Sequence, residues 1–299
     1  MSVLSRLRGW AAGPRLDPRW VERVRTRFES GGGYADYHAF CRSRSTRAPA
    51  AGPAPILEQG RERIRVLDAA AAAQLQRDIE TRFACLPTVA KSRHLRSFDL
   101  VDERWTRALL ERIVTREVDE RAARFFGSEF LVYQLTITRA TPVRSLGRNS
   151  FRWHCDRGPV AHLKLLLYLN GYGEHGGGTQ FLDLETTRGL LPSGYVYAPV
   201  KTRVTDLAPL AARAGVAYAP WAPEMRAGEG ILFQPAGVLH RGLLPTHGHR
   251  DVVTLCLLPS PIPWREAYDR ARVLPVAGED KWHEHAAQLR DALDLRADA

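Results

Sequence analysis

Apolar positions first recur at helical spacing in residues 18–30, where Trp20, Val21, Val24 and Phe28 share a face. Asp17 is placed to cap that helix, Pro18 suits its first turn, and Gly31-Gly-Gly33 should end it. Residues 43–60 mix Arg, Ser, Ala, Pro and Gly and read as a linker or loop. Ile64-Arg-Val66 suits a short strand, and Asp68 then opens an Ala-rich helix running to about Phe83. Trp105, Leu109, Leu110, Ile113 and Val114 mark one face of a helix expected over 102–126. Phe130 to Thr138 alternates and is rich in β formers, so a strand is expected.

From residue 151 the pattern changes to short strands bounded by turns. His162 to Leu169 is a nearly unbroken apolar run, as in a buried strand, followed by a Gly-rich turn and a short strand ending at Phe181. Gly230 to Pro235 reads as a strand, Ala236-Gly237 as a turn, Val238 to His240 as the next strand, and Asp251 to Leu258 as another buried one. Gly194 to Ala198 and Gly215 to Ala219 are further expected strands, in a section (184–229) that either lines a substrate pocket or forms a solvated hairpin. Pro142 to Asn149 is a basic loop, either a lid or a surface turn. Two amphipathic helical stretches, 264–273 and 281–295, close the chain. The pattern predicts an all-β core with flanking helices (α+β), built as an antiparallel double-sheet jelly roll, that is, a cupin-like double-stranded β-helix. The expected organisation is a basic helical segment and linker over 1–62, a helical support region over 63–129, the jelly-roll core over 130–260 and C-terminal helices over 261–299, with 63–299 forming one domain.

Composition narrows the partners. The 299 residues carry a formal charge of +10, and of 43 basic residues 39 are Arg. More than half of that net charge comes from residues 1–50, which hold ten Arg against four acids. The remainder is not strongly basic, and no basic groove interleaved with aromatics is visible, so a nucleic-acid partner is not expected. Cys41, Cys85, Cys155 and Cys256 lie far apart with no CxxC pair. They suit a reducing, cytoplasmic setting. No apolar run approaches membrane-spanning length, and no signal-peptide core is present in the first residues. The oligomeric state is not readable.

The chemistry concentrates on a few residues. His154 and Asp156 stand two apart, so on a strand both would point to one face, with Cys155 turned away. With His240 they form a set of two imidazoles and one carboxylate, the facial triad of non-haem Fe(II) oxygenases. A buried hydrogen-bonded pair is the plainer alternative, and zinc also accepts such ligands. Arg250, ten residues beyond His240, suits a carboxylate clamp and tips the choice toward iron. His162 is expected in the core or behind the ligands; His175, His247 and His249 are expected in loops.

The ordered set His154-x-Asp156, His240, Arg250 resembles the Fe(II)/2-oxoglutarate-dependent dioxygenases. Trp153-His-x-Asp and the span to His240 are similar to the phytanoyl-CoA dioxygenase branch, whereas Leu167-Tyr-Leu-Asn170 followed by Gly176-Gly-Gly-Thr-Gln-Phe181 is similar to prolyl-hydroxylase-type sequences. The resemblance covers roughly residues 130–260. Val252 stands where many relatives have Ser or Thr. The resemblance implies that His154, Asp156 and His240 hold Fe(II), that 2-oxoglutarate binds beside them with Arg250 on its distal carboxylate, and that O2 is consumed with release of succinate and CO2. Ascorbate would serve as reductant. Thr179 and Lys164 become candidates for contact with 2-oxoglutarate or substrate. Lys164 is the sharper one, because a Lys amid Leu on a buried strand needs a partner unless it reaches the sheet edge. Related halogenases carry Gly or Ala at the position of Asp156, so hydroxylation is implied over chlorination, with desaturation open. The implied substrate is a small or carrier-tethered molecule; the alternatives are a peptidyl or amino-acid hydroxylase and a non-catalytic cupin-like metal- or ligand-binding protein.

Overall fold

A computed structural model describes residues 17–30, 33–47, 54–83, 88–92, 95–98, 102–143, 149–271, 289–290 and 293. Among them the chain builds β1 (Arg61–Arg65), β2 (Thr88–Ser92), β3 (Leu95–Phe98), β4 (Glu129–Ala140), β5 (Leu163–Tyr168), β6 (Gly178–Phe181), β7 (Glu229–Phe233), β8 (His240–Leu243) and β9 (Arg250–Ser260). Seven strands form one sheet in the order β1-β7-β5-β9-β4-β3-β2, antiparallel at every step. β6 and β8 pair separately, and isolated bridges carry this smaller layer outward, from His240 to His154 and from Phe181 to Trp221. An antiparallel sheet with helices is the expected α+β class.

Period-two alternation decides what each face of the large sheet meets. Leu163, Leu165 and Leu167 of β5 and Val253, Leu255 and Leu257 of β9 are buried in one cluster. Leu75 and Ile79 of the helix Ala69–Phe83, Leu109, Leu110 and Ile113 of Glu103–Ile113, and Val118 and Phe126 of Arg116–Phe126 cover them. Each such side chain, fully buried, is worth about 1.5–3 kcal/mol. The intervening residues Lys164, Leu166, Tyr168, Val252, Thr254 and Cys256 line a cavity on the opposite face. In β4 the register shifts between Val132 and Gln134. Val132 before the shift and Leu135 and Ile137 after it all join the helix-covered cluster, while Gln134, Thr136 and Thr138 line the cavity. The extra residue thus reverses the alternation, as a β-bulge does. Phe181 of β6 closes the two layers, its ring 5.0 Å from that of Phe233.

Several elements depart from the expected pattern. The helix foreseen over 102–126 is two helices. Thr115 caps the second, its side chain accepting from Val118 N–H at 3.5 Å. Gly194 to Ala198 and Gly215 to Ala219 are not strands. Gly194 (φ 76) closes a 3-10 turn and Gly215 (φ 65) closes the helix Ala208–Ala214, the left-handed position that favours glycine. Tyr195 to Ala198 are buried one after another with no alternation. β8 starts at His240 instead of Val238, because the N–H of Val238 is taken by Gln234 O at 3.0 Å in the preceding turn. Residues 144–148 of the basic loop and most of 281–295 lie outside the described residues. Cys41, Cys155 and Cys256 are free and buried. Among the described residues no helix is long and apolar enough to cross a membrane.

The start of β9 is tied down by Asp251, only 2% exposed. Arg139 on β4, opposite it in register, donates from Nε at 2.7 Å and Nη2 at 2.6 Å. Gln76 Nε2 adds a bond at 3.1 Å, and the Asp251 N–H donates to Asn170 Oδ1 at 3.0 Å. Without Asp251 the partly buried Arg139 guanidinium keeps only the more exposed Glu80 as an acidic partner among the described residues, and Gln76 loses its acceptor. Asp251→Ala is therefore expected to lower the free energy of unfolding by about 3 kcal/mol, read from the urea midpoint; an unchanged midpoint would show that Arg139 finds sufficient solvent.

Candidate active site

His154 and His240 face each other across the smaller layer. The His154 N–H donates to His240 O at 3.0 Å and the His240 N–H to His154 O at 2.9 Å. Two residues on, the Asp156 N–H donates to Pro235 O at 2.7 Å. The convergence of these side chains therefore comes from one bridge and one loop bond, not from a regular strand through 154–156 as the spacing suggested. His154 Nδ1 lies 2.7 Å from Arg152 O and His240 Nδ1 3.0 Å from Val238 O. A carbonyl only accepts, so each Nδ1 carries a proton, and in the neutral ring that leaves the lone pair on Nε2. Both Nε2 atoms face Asp156 Oδ1, at 3.4 and 3.8 Å.

The ligand-type atoms of His154, Asp156 and His240 all lie within 4.8 Å of one another. The two sides at Asp156 Oδ1, 3.4 and 3.8 Å, are shorter than two ligand bonds of about 2.0–2.2 Å end to end, so the donor set fits a divalent metal. Burial, together with the neighbouring His154 and Lys164, pushes His240 down to about 3. The imidazole is thus neutral at physiological pH and ready to coordinate. Burial alone would raise the Asp156 carboxyl, but the Lys164 ammonium and the two imidazoles outweigh it and hold it well below the usual carboxylate range.

The three side chains line a cavity of about 280 Å³ between the layers. Arg250 forms the wall at the start of β9, 8% exposed. Its Nη1 donates to Gly178 O at 2.5 Å and Leu243 O at 2.7 Å, carbonyls of residues paired across β6 and β8. Its Nε is buried with no hydrogen-bond partner, and no carboxylate pairs with the guanidinium among the described residues. Thr179 also lines the cavity, its hydroxyl 2.9 Å from that of Tyr168. Lys164 does not reach the sheet edge: its ammonium bonds Asp156 and lies 5.9 Å from the Phe233 ring centre.

Tyr168 escaped the sequence reading, although it stands in phase with Lys164 on β5 and that phase was the available signal. His162 is buried behind the cavity, its Nε2 2.6 Å from the Tyr133 hydroxyl. His175 is fully buried in a single helical turn, Tyr172–His175, where a loop residue was expected. Its Nδ1 accepts from Gly177 N–H at 2.9 Å. Glu80, His249 and Asp251 form a second cluster of ligand-type groups. Arg139 pairs with both of its acids, so it is an ion-pair network on the other face of the sheet.

No protein-family model matches the chain, and no curated protein matches it. Solved structures do. The epimerase SnoN in complex with Fe3+, α-ketoglutarate and nogalamycin RO superposes with a TM-score of 0.51 at 12% identity, over 75% of this chain and 84% of that one. EctD from S. alaskensis in its apoform gives 0.51 at 16% identity, over 78% and 84%. EctD with 2-oxoglutarate and 5-hydroxyectoine gives 0.51 at 17%, over 72% and 78%. The chain has the fold of the non-haem iron, 2-oxoglutarate-dependent enzymes. The superpositions establish a shared fold.

The triad geometry makes a direct prediction. The double variant His154→Ala, Asp156→Ala is expected to bind no Fe(II) or Co(II) under anaerobic titration, where the unaltered protein binds one per chain. Full occupancy in the double variant would refute the site.

Proposed function

We propose that the protein is a non-haem Fe(II)- and 2-oxoglutarate-dependent oxygenase that hydroxylates or desaturates a small-molecule or carrier-tethered substrate, releasing succinate and CO2. One observation carries this reading: a single cavity holds both the ligand triad and a buried guanidinium, Arg250, that no carboxylate among the described residues pairs with. A buried cation without a counter-ion is costly, and a dianionic co-substrate anchored beside a metal removes that cost. The likeness to enzymes crystallised with α-ketoglutarate or 2-oxoglutarate supports the same assignment.

The fold reading follows. β7, β5, β9 and β4 form one four-stranded layer, and the run through His154, β8, β6 and the run through Trp221 form the other. This is the pairing of a double-stranded β-helix, with residues 130–260 as its catalytic core.

Each residue then has a task. His154 and His240 present Nε2, and Asp156 presents Oδ1, to Fe(II). Bound there, the iron supplies O2 activation coupled to oxidative decarboxylation of the 2-oxo acid, with ascorbate as external reductant. Arg250 takes the distal carboxylate of 2-oxoglutarate, and the Tyr168–Thr179 hydroxyl pair, one member of which donates to the other, has one O–H left to offer in the same cavity. Asp156 is itself an oxygen ligand, so the position that a halide would need is filled.

Two outcomes test this. Arg250→Leu is expected to weaken 2-oxoglutarate binding by more than about tenfold, because truncating one partner of a buried charge pair costs about 2 kcal/mol or more; the measurement is titration of the absorption band of the iron complex under nitrogen. With Fe(II) and a panel of small acids, amino acids and thioesters, succinate should form in step with a hydroxylated or dehydrogenated product, and no chlorinated product should form in chloride. No succinate across the panel would favour a non-catalytic metal-binding protein, and succinate formed without iron would refute the iron-dependent reading.

A further inference from the structure

Lys164 is the second residue of β5, a strand paired on both sides, and its register partners are Phe233 on β7 and Cys256 on β9. A charged side chain in a central strand needs a strong partner. That partner is Asp156 Oδ2. The other oxygen, Oδ1, is the one that faces the two imidazoles, 3.4 Å from His154 Nε2 and 3.8 Å from His240 Nε2. The carboxylate is thereby divided, one oxygen toward the ammonium and one toward the metal ligands. Lys164 is not the second half of the Arg250 clamp. Its register partner Cys256 lies six residues along β9 from Arg250, about 20 Å of strand, so the two cations stand at opposite ends of the cavity.

We propose that Lys164 is a positioning residue that holds Asp156 to single-oxygen coordination and places a fixed positive charge behind that ligand. The inference rests on the reading that the triad binds iron. The geometry explains why a second bond to Asp156 is needed. A free carboxylate can bind a metal through both oxygens. An octahedral iron with three protein ligands and a chelating 2-oxo acid has one position left, and a bidentate Asp156 would close it. A neutral donor would suffice to hold the carboxylate; an ammonium also repels ferric more than ferrous iron. Lys164 thus biases the resting metal toward the state that reacts with O2.

The test compares the unaltered protein with Lys164→Arg, Lys164→Gln and Lys164→Met, all checked for folding by thermal unfolding of the metal-free protein. Co(II) alone is the probe for coordination, through its visible absorption, and the midpoint potential of the iron-loaded protein without co-substrate is the probe for charge. Lys164→Arg should match the unaltered protein in both. Lys164→Gln keeps a donor and should keep the Co(II) spectrum, while its ratio of ferric to ferrous affinity rises by at least about tenfold, read as a more negative midpoint. Lys164→Met should alter both. A midpoint unchanged in Lys164→Gln overturns the charge role, and a Co(II) spectrum unchanged in folded Lys164→Met overturns the positioning role. If Lys164→Met does not fold, Lys164→Ala with added methylammonium replaces it, and failure of the amine to restore the unaltered Co(II) spectrum overturns the positioning role. Absence of Co(II) binding in the unaltered protein is a different result, because it removes the triad reading itself.

Discussion

The two reciprocal backbone bonds between His154 and His240 are the constraint on which the candidate site depends. They join parts of the chain far apart in sequence and set the register that turns both rings the same way. In an antiparallel pair a slip of one residue turns a side chain to the other face, so a slip here would separate the imidazoles. His240 is held from both sides, since Phe181 pairs with it across the β6–β8 ladder. Its ring lies 4.9 Å from that of Phe233 and 6.2 Å from that of Phe181. The interlayer core and the metal-type site therefore share residues, and packing energy serves to orient a ligand.

The charge layout follows from the same alternation. Arg250 and Asp251 are neighbours in β9 and so point to opposite faces. Asp251 goes to the far face, where Arg139 and Gln76 bind it. Arg250 goes to the cavity, where it donates to the backbone carbonyls of Gly178 and Leu243 and, among the described residues, meets no carboxylate. Adjacent opposite charges that might have neutralised each other are kept apart by the strand. Lys164, by contrast, is neutralised by Asp156. The cavity therefore has one end where charges are matched around the ligand triad and another end that is positive and calls for an anion.

Much of this was legible in the chain. β4, β5 and β9 announce themselves by alternation or by an unbroken apolar run, and the triad and Arg250 stand out by residue type and order. What was not legible has identifiable causes. Gly194 and Gly215 sit before aromatic and apolar residues that mimic strands, yet they are left-handed closures of turns. Thr115 interrupts a helical pattern whose apolar face continues beyond it, and only the cap at Val118 reveals the break. The partner of Lys164 was hidden because β5 and Asp156 are joined by a loop whose path sets their contact, and a loop path carries no periodic signal. His175 lacks the motif context of the triad and suits a loop by sequence, although its side chain is fully buried.

Val252 shows how a departure in sequence is absorbed in space. At that position many resembling sequences place a hydroxyl two residues after the clamp Arg. Here the side chain is apolar, 6% exposed, and packs with Tyr168, Phe181 and Phe233 between the layers. Its register neighbour on β5 is Tyr168. The hydroxyl of Tyr168 meets that of Thr179 on β6, so this bond spans the cavity from the large layer to the small one. Burial raises the Tyr168 phenol, and the nearby Arg250 partly offsets that rise. The phenol is therefore protonated at neutral pH and able to donate. A hydroxyl beside the guanidinium is still present; it has moved one strand sideways, and the space it left was given to the apolar contact that joins the two sheets.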